Sequence, residues 1–400
     1  MNAAKRRPHV LVLVQNAPIE RDTRVQRLVT TLSGESIPSV VICPATAAST
    51  AMQISGVRIL RFPPARERSG MLGFALEYAW SLLAMTALVI RVLWRTDIGL
   101  VHLCNPPDLL FLAALPCRLR GARLVFDHHD PAPEMYEARF GRRDSLHRVL
   151  LLAERASFRI ADHVVSTNET LARLACERGG SAPSEVTVVR NAPALSPDEA
   201  ALVRAADPDR AGPRVLWIGH MGPDDGVDIA IDAHRLLVAR RPGVRLVLVG
   251  DGEARPDLET RVRRHQLTES VEWTGWLDPA QVHRELAAAD VAIVPDPRTP
   301  RSDLSSMIKL TEYMTFGVPI VAFPLRESVA GAGDAALFVD DETPAGLAAG
   351  IERVLEDDDL ARRLGENGRR RMAGDLAWSR QAERYIGVVR RLLDAPPPRP

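Results

Sequence analysis

The chain has 400 residues, 46% hydrophobic and 26% charged, an ordinary globular composition whose length divides into two or three domains. Basic and acidic side chains balance at 51 each and aromatics are only 5%, which excludes a strongly basic nucleic-acid binder or a base-stacking platform, so no nucleic-acid partner is expected. Cys43, Cys104, Cys117 and Cys176 form no C-x-x-C pair and lie in or beside apolar segments, so they read as buried free thiols of a reducing compartment, and no zinc ligand set is visible.

Lys5, Arg6 and Arg7 precede the apolar run Val10–Val14, which is too short for a signal-peptide core and reads as a first strand. The expected location is therefore cytoplasmic. Strand-like runs in the first half are His9–Val14, Ser39–Ile42, Val57–Leu60, Leu100–Leu103, Arg123–Asp127, His163–Thr167 and Val186–Val189. Between the first two, Asp22-Thr23-Arg24-Val25 opens a helix, with Asp22 as its cap. Phe74–Trp94 is strongly apolar but carries Glu77 and Arg91, so its uncharged run is only Tyr78–Ile90. A membrane span needs about twenty residues, and the segment is expected to be a long helix, buried or lying on a membrane surface. Asn105-Pro106-Pro107-Asp108 follows a strand, with Asp108 in a structural role at the start of an apolar helix.

After Arg123–Phe126 comes Asp127-His128-His129-Asp130, and then Pro131, Pro133 and Glu134. The prolines stop the strand from continuing, so His129, Asp130 and Glu134 are displayed on a loop at a strand end. An imidazole beside a carboxylate is suited to hydrogen-bond a leaving phosphate or a sugar hydroxyl. Adjacent side chains rarely converge on one ion, so no metal is expected there. Residues 192–214 contain no strand-like run and read as an interdomain linker.

Alternation then restarts, with strand runs at Val215–Gly219, Arg245–Gly250, Val271–Gly275, Val291–Pro295, Pro319–Phe323 and Ala336–Val339, and helical patterns such as Gly226–Arg241 and Ala345–Leu355 between them. The runs are short, β-branched and continuous, the pattern of strands buried on both faces of a parallel sheet. Strand–helix alternation predicts a doubly wound α/β fold. Four loops at strand ends carry candidate binding residues: Gly219, His220, Gly222 and Gly226; Gly250 to Glu253; Gly275 with Trp276; and Ser302 to Met307 before a helix over Ile308–Phe316. Ser302, Asp303, Ser305 and Ser306 are suitable caps for that helix, whose N-terminus would receive a phosphate. Lys309 lies in its first turn and Glu312 one turn further, where a carboxylate suits a ribose diol. Trp378, in the last helix, is expected to be a core anchor.

These pieces, in this order, resemble the GT-B glycosyltransferases of family 4, which are retaining enzymes. The resemblance rests on Asp22, Arg24 and Val25, the turn Asn105–Asp108, the loop His129–Glu134, the stretches Met221–Asp228, Val249–Glu253, Trp273–Trp276 and Lys309–Ala322, and the terminal helix with Trp378. It covers nearly the whole chain. It implies a GT-B α/β fold of two Rossmann-like, doubly wound parallel-sheet domains facing across a cleft. The acceptor domain would be 1–195 with a crossover helix at 376–393, the linker 196–213, the nucleotide-sugar domain 214–375 and a disordered tail 394–400.

The implied catalytic set is His129, Asp130, Lys309 and Glu312. Glu312 corresponds to the second carboxylate of the family's E-x7-E motif, and position 304, where the first would fall, is Leu304. Gly219, His220, Gly222, Gly250, Gly275, Trp276, Asp303, Ser305, Ser306 and Met307 would bind the donor; Asp22, Arg24 and Glu134 would bind the acceptor. Many relatives place an Arg and a Lys after the strand at Val215; here that loop has no cation, and Lys309 would compensate. The implied partners are a nucleotide sugar and a lipid-linked or small-molecule hydroxyl acceptor, with peripheral membrane contact through 74–94 and no metal or other cofactor. Two other readings stay open: a nucleotide-sugar epimerase of the same fold, and a silent subunit that scaffolds a partner transferase.

Overall fold

The computed structural model describes residues 8–45, 52–64, 71–193, 195–203 and 212–396. The expected linker lies outside the described residues over 204–211, and the expected tail over 397–400. The chain divides into two units, Met1–Arg190 with Gln381–Pro400, and Asn191–Arg380.

The first unit is built on seven strands: β1 (His9–Val14), β2 (Ser39–Pro44), β3 (Val57–Phe62), β4 (Ile98–Cys104), β5 (Arg123–His128), β6 (His163–Ser166) and β7 (Val186–Val188). They lie in the order β3-β2-β1-β4-β5-β6-β7, and every pair is parallel. The helices are α1 (Thr23–Gly34), α2 (Met71–Leu93), α3 (Phe111–Arg118), α4 (Ala132–Phe140), α5 (Ser145–Ile160) and α6 (Glu169–Leu174).

Strand side chains alternate between the faces. Leu13, Leu103 and Phe126 form one core with Met85 and Val89 of α2, Ala113 of α3 and Phe158 of α5. His102 and Asp127 point to the opposite face, where the ring of Tyr385 meets that of His102 edge-on at 5.5 Å. Asp22 caps α1 as expected, accepting from the Val25 amide at 2.9 Å.

Helix α2, expected to be buried or to lie on a membrane surface, is buried along one face only. Ser81, Met85, Val89 and Val92 are buried, but Leu76, Trp80, Leu83 and Ile90 on the opposite side are 44–68% exposed. The segment Leu76–Leu93 is long and apolar enough to cross a membrane by length and composition, although one of its faces packs on the sheet.

The second unit has six parallel strands: β8 (Arg214–Ile218), β9 (Arg245–Val249), β10 (Val271–Gly275), β11 (Val291–Val294), β12 (Ile320–Ala322) and β13 (Ala336–Phe338). Their order is β10-β9-β8-β11-β12-β13. Its helices are α7 (Pro197–Ala200), α8 (Val227–Arg240), α9 (Arg255–Arg264), α10 (Pro279–Ala288), α11 (Ile308–Phe316), α12 (Arg326–Ala332), α13 (Pro344–Glu356) and α14 (Asp358–Ala373); α15 (Trp378–Asp394) follows. Trp217, Leu248, Ile293 and Phe323 pack with residues of α8, α9 and α13, while Leu216, Val247 and Ala292 face α10 and α11. Ala200 of α7 is buried in the latter core, so this part of the expected linker is built into the second unit.

All thirteen expected strands form, with ends moved by no more than two residues. Continuous β-branched runs between helical segments have few other ways to bury both faces. Trp378 is only half-buried; Gln381, Tyr385 and Val389 are the fully buried positions of α15.

Candidate active site

Parallel strands bring all their carboxyl ends to one edge of each sheet. Strand order reverses between β1 and β4 in the first unit and between β8 and β11 in the second, and open α/β sheets bind ligands in the crevices at such points.

In the second unit this crevice lies between the loop that starts at Gly219 and the loop that starts at Pro295. Three expected loops meet at this edge. His220 stacks on Trp276 with ring centroids 6.4 Å apart, and its Nε2 lies 2.6 Å from Glu253 Oε2. Trp276 is 67% exposed, an open aromatic surface. Close backbone packing holds the loops together: a Cβ on Gly250, whose φ is +126°, would lie 1.9 Å from the Gly219 carbonyl oxygen, and one on Gly226 2.1 Å from that of Pro295. Gly222 is likewise closed off by Asp225, and Gly219 by Trp217. At Gly250 and Gly226 the missing Cβ thus permits loop-on-loop packing, and at Gly219 and Gly222 it clears neighbours in the same segment. Gly275 is the roomier position, with only the Arg255 guanidinium near, at 3.8 Å.

Helix α11 starts at this edge. The helix is held beside β8 by Tyr313 of its second turn, whose hydroxyl accepts from the Ile218 amide at 2.9 Å. The N-cap position is Met307 rather than Asp303 or a serine; its side chain makes no capping hydrogen bond, and the Leu310 amide donates to the Met307 carbonyl at 3.1 Å. Ser302 instead ties its own loop to Thr299 and Pro297. Asp303 accepts from the Arg326 amide at 2.8 Å, and the Ser305 hydroxyl donates to the Arg301 carbonyl at 2.9 Å. Asp303 and Ser305 are thus engaged by the protein rather than standing free for a sugar. Ser306 and Glu312 are half-buried.

Lys309 is also not a free cation. Its ammonium lies 2.8 Å from Asp296 Oδ2 and 4.9 Å from the centroid of the Trp217 ring. Asp296 is 1% exposed; burial pushes its carboxyl pKa up and Lys309 opposes that. Sequence reasoning missed Asp296 and Tyr313. The signal for Asp296 was a lone acid directly after a fully apolar strand.

In the first unit the edge is organised by Asn105, also missed. Its Oδ1 accepts from the amides of His129 at 2.8 Å and Asp130 at 3.2 Å, while Nδ2 donates to the Asp130 carbonyl at 2.6 Å and to Asp108 Oδ1 at 3.0 Å. The peptides Asn105-Pro106 and Pro106-Pro107 are cis. One buried amide therefore holds the His129–Asp130 backbone in place. The His129 side chain is 14% exposed. Its Nδ1 is buried with no hydrogen-bond partner, 3.9 Å from Asp127, and Nε2 is 3.7 Å from the half-exposed Asp130.

Asp127 is the buried centre of this edge. Arg24 donates to it in bidentate fashion at 2.7 and 2.8 Å, and His102 Nε2 lies 3.1 Å away. Arg24 also donates to the Val189 carbonyl at 2.9 Å. Burial alone would raise Asp127's pKa, yet Arg24 and His102 hold the carboxyl well below the usual range. This corrects the expectation that Arg24 reaches an acceptor: its guanidinium is committed to the fold. Glu134 is likewise engaged, 2.5 Å from Arg178, which also binds the buried Glu154 at 2.7 Å. Asp22 is occupied as the α1 cap.

Burial pushes the Asp108 carboxyl pKa up to about 7, against about 3.9 for an exposed group. A carboxyl raised in the folded state costs stability progressively as pH climbs from the unfolded to the folded value. Asp108→Asn keeps an acceptor for Asn105, so it is expected to stabilise the protein at about pH 8 and change little at about pH 4. Urea unfolding at the two pH values reads this; an equal effect at both would contradict a buried protonated carboxyl.

His102, Cys104 and Asp127 bring ligand-type atoms within 4.8 Å of one another. The set does not fit a metal: Arg24 already occupies Asp127, and burial raises the Cys104 thiol pKa well above its ordinary value.

Residues 22–192 match the family model described as a glycosyl transferase 4-like domain, and residues 212–357 match that of glycosyl transferases group 1. The chain is 26% identical over 314 residues to 2-deoxystreptamine glucosyltransferase of Streptomyces kanamyceticus, covering 75% of this chain and 79% of that one. It is 28% identical over 229 residues to glycogen synthase of Mycobacterium tuberculosis, covering 55% and 52%. Several curated relatives are thus matched over only about half to two thirds of their length. Among solved structures, sucrose-phosphate synthase from Thermosynechococcus elongatus superposes with a TM-score of 0.78 at 19% identity, over 98% of this chain and 100% of that one. Anabaena Alr3699/HepE in complex with UDP-glucose superposes at 0.73 and 17% identity, over 96% and 99%. At such identities these two show the fold.

Two Rossmann-like parallel-sheet units, each with its candidate residues on the carboxyl edge, define a GT-B protein. The chain is a GT-B glycosyltransferase that resembles family 4.

Proposed function

We propose that this glycosyltransferase uses a nucleoside-diphosphate sugar and transfers the sugar with retention to a hydroxyl of a lipid-linked acceptor, in polysaccharide or glycoconjugate assembly. The observation that carries the donor reading is the convergence at the β8/β11 switch point: the α11 start at Met307, an open Trp276 surface and Glu312 on the same helix. The UDP-glucose complex of HepE, a protein of the same fold, supports it. Trp276 offers a face for a base, the N–H groups of α11 offer an anion site, and Glu312 offers acceptors for a ribose. Arg301, half-buried before the Ser302–Leu304 turn, has no ion pair among the described residues, whereas Arg298 and Arg326 are paired to Glu342 and Asp303. In this reading Arg301 supplies the charge that Lys309, bound to Asp296, does not.

The bond between the anomeric carbon and the diphosphate oxygen breaks, and the acceptor hydroxyl attacks from the same face. The diphosphate oxygen takes the hydroxyl proton, so the step calls on neither a protein base nor a metal, and stabilisation of the departing charge is the protein's main task. His129 is assigned to hydrogen-bond the transferred sugar. The exposed stripe of α2 is the support for a membrane-associated acceptor, and the free cysteines for a cytoplasmic, inner-face location.

Thermal shifts with UDP, GDP, dTDP, ADP and CMP test the donor pocket. A nucleotide at 100 times its dissociation constant adds about 2.7 kcal/mol, a shift of several degrees. One base is expected to stabilise, and Trp276→Ala to abolish the shift. No stabilisation by any of them at millimolar concentration would remove the donor assignment.

A further inference from the structure

Helices α2, α3 and α5 cover one face of the first sheet, and their outer surface is unusual in two respects. It is apolar: Leu76, Leu83 and Ile90 of α2, Leu112 and Leu115 of α3 and Leu152 of α5 are each at least 37% exposed. It is also almost free of acids. Helix α3 has none, α5 has only the fully buried Glu154 and α2 has only Glu77, while Arg91, Arg148, Arg155 and Arg159 are exposed. In a chain whose formal charge is zero, this is a local excess of positive charge on an apolar ground.

A groove of about 700 Å³ runs between α3 and α5. Phe111, Leu152, Ala156 and Ile160 form its apolar lining, and Arg155, Arg159 and Arg178 its polar one. Arg178 is neutralised by Glu134 and Glu154. Arg155 and Arg159 have no carboxylate partner among the described residues. Two uncompensated guanidinium groups beside an apolar trough match one chemistry: a phosphate joined to acyl chains.

We propose that this groove holds the headgroup phosphate of an anionic phospholipid in a bilayer, seated by Arg155 and Arg159, with the α2 stripe lying in the interface beside it. The inference rests on the membrane-associated reading above and adds to it a site, a ligand class and a charge requirement. The bilayer is the occupant because the apolar surface continues beyond the groove over α3 and α2, further than a soluble phosphate ester would cover.

Co-sedimentation of the full chain with vesicles tests this. Wild type is expected to pellet with vesicles of phosphatidylglycerol mixed equally with phosphatidylcholine, and to stay in solution with phosphatidylcholine alone. The double variant Arg155→Gln/Arg159→Gln is expected to lose partitioning by about thirtyfold, since each arginine near an anionic surface contributes a roughly fivefold factor. Arg155→Lys/Arg159→Lys is expected to retain most of it, and thermal midpoints confirm that both variants fold. Equal binding of wild type to neutral and anionic vesicles would overturn the proposal. So would unchanged binding of the glutamine variant combined with loss on Leu83→Gln/Ile90→Gln, which leaves the α2 contact standing without the headgroup site. Displacement from vesicles by millimolar glycerol 3-phosphate would reassign the groove to soluble phosphate esters. Failure of the nucleotide panel bears on the donor pocket alone and leaves these arms readable.

Discussion

Replacing Asp127 with alanine is expected to destabilise the first unit by about 3–5 kcal/mol, the usual cost of stranding one partner of a buried ion pair. Arg24 would lose its bidentate carboxylate while its guanidinium stays buried, with the Val189 carbonyl still bound. The loss spreads because Asp127 on β5 is the shared partner of Arg24 from α1 and His102 from β4, and His102 in turn meets Tyr385 of α15. Thermal unfolding should show the midpoint of this unit falling by on the order of 10 °C.

The double variant Asp127→Leu/Arg24→Met should recover most of the loss, since an apolar pair of similar volume carries no stranded charge. If the double variant is no better than the single one, the pair is not the cause. The pH dependence follows in sign. Arg24 and His102 hold the folded carboxyl pKa below its unfolded value, so this stability is complete above about pH 4 and drains away as pH falls below it.

His129→Ala is expected to lower the rate of sugar transfer by about 10²–10³, the range for removing one positioned hydrogen-bond donor at a reacting centre, with nucleotide binding unchanged. Its geometry supports such a role. Nδ1 is buried without a hydrogen-bond partner, and the ring stands between Asp127 and Asp130. Asn105 positions rather than touches: it holds the His129 and Asp130 amides and the Asp130 carbonyl. Asn105→Ala should therefore lower kcat while leaving the donor KM nearly unchanged, and add little to His129→Ala, because coupled residues are not additive. A wild-type rate for His129→Ala would remove it from the site. Full additivity with Asn105→Ala would show that the asparagine acts elsewhere.

Much of the fold could be read before any coordinates. Thirteen continuous apolar runs became thirteen strands, and Ile308–Phe316 became α11 with the bounds expected of it. The reason is local: period, β-branching, glycine and proline stops act over a few residues and leave few alternatives. The loops that meet at the sheet edges were legible for the same reason, since strand ends can be located from the runs themselves.

What the tertiary structure decided is the partner of each charge. Nothing near Arg24 or Lys309 in the chain announces Asp127, 103 positions away, or Asp296. Arginine, lysine and aspartate at strand ends look the same whether they await a ligand or neutralise one another, because ion pairs form through space. Arg24, Glu134, Asp303 and Lys309 were thus expected at a ligand and are found holding the protein together. The same limit applies to α2. Its sequence is apolar on every side, and only packing chose which stripe met the sheet and which, from Leu76 to Ile90, was left facing outward.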